Sequence, residues 1–77
     1  MIQQLREYIL EKTYEEQRKN PDLVNIIFPV DFKLMNRFLL SEMQALEKEM
    51  AEIFAGAFWE VNEKEQTFDF NIILRVH

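Results

Sequence analysis

The hydrophobic period of this chain changes once, and that change limits the fold more than any other feature. Phe32, Met35, Leu39, Met43, Leu46, Met50, Ile53 and Ala57 follow one another at steps of three or four, the spacing of one helix face. From Phe68 the apolar residues come at every second position, through Phe70, Ile72, Leu74 and Val76, the spacing of one strand face. A chain of 77 residues has room for one core, so residues 1–77 read as a single α+β domain. Its composition, 48% hydrophobic and 13% aromatic, is rich enough to bury that core and argues against intrinsic disorder.

The remaining elements follow from local signals. Residues 2–19 read as a first helix, with Met1, Ile2, Leu5, Tyr8 and Ile9 on one face. Beyond Ile9 that face becomes Lys12, Thr13 and Glu16, so the apolar stripe ends after about two and a half turns. Asn20-Pro21 stops the helix, because the residue before proline avoids the helical region. Residues 23–28 are short, β-branched and closed by Pro29, which predicts a strand. Asp31 is a good N-cap for a second helix, expected to run unbroken from Phe32 to Gly56, the C′ glycine. Residues 57–62 and 67–76 read as a hairpin around Glu63-Lys64-Glu65-Gln66. Trp59 and Val61 face inward in one phase of its first strand, Phe58 in the other. The outer face of the last strand, with Thr67, Asp69, Asn71 and Arg75, reads as solvated.

Together these elements predict two layers in the order α-β-α-β-β. Both helices pack on one face of a small three-stranded, mainly antiparallel sheet, with the last and longest strand in the middle. Leu34, Phe38 and Ala45 would form a flank of the second helix on which the first helix packs.

The residue types exclude most catalytic chemistry. There is no cysteine and one histidine, His77, so a nucleophile–base pair of the usual kind has nothing to be built from. Ser41 is the single serine, placed mid-helix without a nucleophile-elbow context. Gly56 is the single glycine, too few for a phosphate-binding loop, and no metal-binding spacing occurs. Glu42 and Glu49 lie at the edge of the second helix's apolar stripe and read as solvating it. No enzyme, cofactor or metal is expected.

Binding is what remains. The formal charge is −5, without a basic cluster, so direct contact with nucleic acid is not expected. No apolar run is long enough for a membrane span, and the absence of disulfides suits the cytoplasm. A continuous helix of 25 residues would be roughly 37 Å long and would overhang a domain about 30 Å across, which predicts a homodimer. The candidate interface residues are Leu10, Tyr14, Leu34, Phe38, Glu42, Glu49 and Ile73. Leu10 and Tyr14 form an i,i+4 pair opposite the buried stripe of the first helix, and Ile73 falls among polar positions of the last strand. The expected function is a non-catalytic protein-binding module, a small intracellular inhibitor, immunity-type protein or adaptor that occludes or bridges a partner protein. The alternatives are a subunit of a larger assembly, viral ones included, and an acidic nucleic-acid mimic.

Overall fold

A computed structural model describes residues 2–75. Met1, Val76 and His77 lie outside the described residues, and so do the positions assigned to them from sequence. The elements are α1 (Ile2–Lys19), β1 (Asn25–Asp31), α2 (Phe32–Met35), α3 (Leu40–Ile53), β2 (Gly56–Asn62) and β3 (Thr67–Ile73). The sheet order is β1-β3-β2, with β3 antiparallel to both neighbours. The fold is α+β, as the change of period predicts.

One face of the sheet carries the core. Phe28, Phe70 and Trp59 lie in one cross-strand row, and Ile26, Ile72 and Ala57 in the next. Ile9 of α1 and Leu46 and Met50 of α3 close over them, and with Phe28, Phe70 and Ile72 they form the buried cluster. Trp59 therefore settles the phase of β2. Its ring packs 4.6 Å from that of Phe70, and its indole Nε1 donates to the Met43 carbonyl at 3.0 Å, which ties β2 to α3. Phe58 points to the other face.

β1 runs through Pro29 instead of stopping before it. An edge strand tolerates proline, because its outer backbone groups have no ladder partner to lose. The hairpin turn leaves Gln66 in the left-handed region, at φ 56°, a position glycine would occupy without strain.

The long second helix is two helices. Asp31 caps α2 as expected, its carboxylate accepting from the Lys33 amide at 2.7 Å. After Met35 the chain tightens: Arg37 and Phe38 donate to the Leu34 and Met35 carbonyls. Leu39 is extended (φ −78°, ψ 148°) before α3 begins. Glu42 stabilises this restart by accepting from the Leu39 amide at 2.9 Å, one half of a capping box. The break has a tertiary cause. The Phe32 amide donates to the Gln66 carbonyl and the Phe32 ring packs 4.9 Å from Phe68, so α2 is fixed to the end of the sheet. α3 has to lie over β2 instead. With 14 residues α3 is about 21 Å long, and the overhang from which the homodimer was expected does not exist. The molecule measures 34 × 25 × 20 Å.

The buried face of α1 is longer and wider than expected. Its buried residues are Ile9 and Thr13, so the stripe continues a full turn past Ile9. Leu10 packs against the core cluster, and Tyr8, although largely exposed, lays its ring edge-on against Phe28 at 6.0 Å. On the outer side of the helix, a hydrogen bond from Lys19 and the charges of Lys12 and Lys19 hold the Glu15 carboxyl below its ordinary range. The Thr13 hydroxyl is fully buried and has no hydrogen-bond partner. An orphaned buried hydroxyl costs about 1–3 kcal/mol, whereas an apolar group of the same shape costs nothing comparable. Thr13→Val is therefore expected to stabilise the domain by about 1 kcal/mol, raising the melting temperature by roughly 4–8 °C. A lower melting temperature in calorimetry would show that the hydroxyl is satisfied.

Candidate functional site

The helices leave one face of the sheet uncovered. Strand alternation assigns to it Asn25, Ile27, Pro29 and Asp31 of β1, Gly56, Phe58, Glu60 and Asn62 of β2, and Thr67, Asp69, Asn71 and Ile73 of β3. The strand registers join these into rows: Ile27–Asn71–Phe58, then Pro29–Asp69–Glu60. One half of the face is apolar, built from Ile27, Phe58 and Ile73. Ile27 is 51% exposed and Phe58 40%. The other half carries the carboxylates of Asp31, Glu60 and Asp69, and none of the twelve positions is basic.

The face is not the solvated surface that its sequence predicts. Asn71 is only 6% exposed, because it sits on the central strand with Ile27 and Phe58 on either side. Thr67, Asp69 and Ile73 are half-buried. Side chains lock the centre: the Thr67 hydroxyl donates to Asp69 Oδ1 at 2.7 Å and Asn62 Nδ2 to Asp69 Oδ2 at 3.3 Å. Asn71 Nδ2 donates to the Asp69 carbonyl at 3.0 Å. Ile73 lies beside Gly56, where a Cβ would stand 3.5 Å from its side chain, so the face is filled in to its edge.

The other candidate residues are dispersed. Leu10 is drawn into the core. Tyr14 packs its ring 5.6 Å from Phe54, which leaves it half on the surface at the α1–α3 contact. Glu49 takes a bidentate pairing from Arg6, joining α1 to α3, and Glu42 caps α3; both carboxylates already have structural partners. Arg6, Glu42 and Glu49 line a groove of about 310 Å³ between the two helices, with Ala45. Leu34 and Phe38 belong to α2 and the turn after it, so they form no continuous flank with Ala45. Ile73 alone reaches the open face.

Sequence reasoning passed over Phe58 as a surface residue, and Leu39 and Leu40 as well. These two leucines are each 67% exposed at the α2–α3 corner, where Leu34 lies near Lys33 and Arg37. The position of Phe58 was recoverable in principle. A four-residue turn between two strands fixes which residues face each other, and it sets Phe58 opposite Asn71. The partner of Asn71 on β1 was not recoverable, since 35 residues separate Asp31 from Thr67 in the chain and no short loop sets that register.

Among the described residues no helix is long and apolar enough to cross a membrane. None of their aspartate and glutamate side chains gather in groups of three or more that could hold a metal. Set beside known protein families, curated proteins and solved structures, the chain matches none of them, so any functional reading rests on the geometry of the face itself.

Proposed function

We propose that this chain is a non-catalytic protein-binding module of the inhibitor or adaptor kind, and that the uncovered face of its sheet is the docking surface. One observation carries the reading. A sheet face left to water is ordinarily polar at alternate positions, yet this one gathers Ile27, Phe58 and Ile73 around a buried asparagine. Contiguous exposed apolar area of this sort marks an interaction site, whereas scattered apolar residues do not. The cytoplasm is the proposed location, since a cysteine-free domain gains nothing from an oxidising compartment.

A second apolar surface favours bridging over simple occlusion. Leu34, Leu39 and Leu40 stand at the α2–α3 corner, at the acidic end of the sheet where Leu34 shares a groove with Asp31, and not in the Ile27–Phe58–Ile73 patch. A molecule with two such surfaces has the means to join two partners or to take a place in a larger assembly.

The test is differential capture from cells of the source organism. The double variant Ile27→Ser/Phe58→Ser replaces side chains that are already half in water, so its stability should stay within about 1 kcal/mol of wild type. It should lose at least about tenfold in capture of the wild-type partner, the equivalent of about 1.4 kcal/mol of binding. Undiminished capture would reject the face. Capture that survives there and disappears with Leu39→Ser/Leu40→Ser would move the docking surface to the helix corner.

A further inference from the structure

We propose that the open face seats an arginine side chain of a protein partner, held by Phe58, Glu60, Asp69 and Asn71. This rests on reading the face as a docking surface, and it names the chemistry that the face selects.

The four residues form two adjacent cross-strand pairs, Phe58 with Asn71 and Glu60 with Asp69. Such pairs stand about 5 Å apart across the strands and about 7 Å apart along them. That rectangle matches a guanidinium group and the end of its stem. Its hydrogen-bonding character is one-sided. Of the donors nearest to it, the Thr67 hydroxyl and one N–H each of Asn62 and Asn71 are engaged inside the protein, on the Asp69 carboxylate and carbonyl. What remains is mainly acceptor. The Glu60 carboxylate and Asn71 Oδ1 receive no hydrogen bond among the described residues, and Asn71 is more than nine-tenths buried, at the centre of the apolar patch. A ligand rich in donors suits this balance.

Charge gives the same answer. Carboxylates directly opposite on neighbouring strands destabilise a sheet, and Glu60 and Asp69 are so placed. None of the ion pairs among the described residues engages Glu60 or Asp69. The compensating cation is left to come from outside. Arginine fits better than lysine. Its planar fork offers five donors and no acceptor, and it stacks on aromatic faces, which the half-exposed ring of Phe58 supplies. The apolar side chains of Ile27 and Ile73 beside the seat call for an apolar counterpart, so the arginine belongs to a protein surface and is not a free amino acid.

The test uses the whole chain, labelled with 15N, and two blocked octapeptides, one alternating arginine with valine and the other lysine with valine. The arginine peptide is expected to shift the amide resonances of Phe58, Glu60, Asp69 and Asn71 in a saturable way. The lysine peptide is expected to bind about fivefold more weakly, in keeping with its single-point charge. Glu60→Gln should weaken the arginine peptide about tenfold, the scale of one lost charge-assisted hydrogen bond. The same variant should raise the melting temperature slightly by removing the like-charge pair, so weaker binding and higher stability together rule out misfolding as the cause. Equal binding of both peptides would overturn the proposal, as would shifts at Glu47 and Glu52 on α3 as large as those at the seat, or indifference to Glu60→Gln. Failure here is distinct from failure of the docking face. Cellular capture that needs Ile27 and Phe58 but ignores Glu60→Gln removes the arginine seat and leaves the face standing; capture that ignores all three removes both.

Discussion

Leu46→Asp is expected to abolish folding. Leu46 sits in the middle of α3 and is 4% exposed, enclosed with Ile9, Met50, Phe70 and Ile72 in one buried cluster. A carboxylate there loses its hydration and finds no free partner. The nearest cation across the groove is Arg6, and its guanidinium is already held in bidentate fashion by Glu49. Any pairing with the new aspartate would be won by breaking the tie between α1 and α3. An unpaired buried charge costs several kcal/mol even after relaxation. A domain of this size has about 4–12 kcal/mol of total stability. The expected outcome is a chain without a cooperative thermal transition and with collapsed dispersion in its proton spectrum. A cooperative transition near the wild-type midpoint would show that position 46 reaches water and that α3 does not pack as described.

Phe70→Ala should be the next most damaging change. Phe70 is fully buried on the central strand, between Phe28 and Trp59 in the register. Its removal leaves a cavity bounded by both edge strands and both long helices, and no single element can move to fill it. Truncations of this kind cost about 3–5 kcal/mol, here a drop in melting temperature on the order of 20 °C. Trp59, the one tryptophan, loses the ring 4.6 Å away, so its emission should shift to the red and report the same event. A loss below about 1.5 kcal/mol in chemical denaturation, less than a well-packed core aromatic allows, would place the centre of the core elsewhere.

The two substitutions differ in how much of their rationale is visible in the sequence. Leu46 stands at the middle of a three-and-four stripe, so its burial could be read from spacing alone. Phe70 is one of five alternating apolar residues, and its spacing says only that it shares a face with Phe68 and Ile72. That it lies deepest depends on the registers, which set it between Phe28 and Trp59.

The open face was less legible still. Ile27, Phe58 and Ile73 each look like an isolated apolar residue on a polar strand face, and isolated exposed apolar residues carry no information. They become a surface only when two registers are set at once. Asn71 makes the point most sharply: from sequence it belongs to a solvated row, and in the fold its neighbours on both sides bury it. Glu42 and Glu49 went the opposite way. At the rim of an apolar stripe they resembled interface residues, yet one caps a helix and the other pairs with Arg6.

The sequence by itself determined the class of every element, the capping of α2 at Asp31, the order of the strands and a composition without cysteine and with one histidine, one serine and one glycine. Those properties depend on spacing, on backbone preference and on side-chain chemistry, all of them local. The tertiary structure alone decided that the long helix breaks at residues 36–39, that Leu10 turns inward, and that three scattered apolar side chains meet around Asn71. Each of these depends on which surfaces compete for the same sheet. An unbroken helix cannot both anchor at Phe32 and cover β2, and a side chain's burial is set by neighbours that lie far away along the chain.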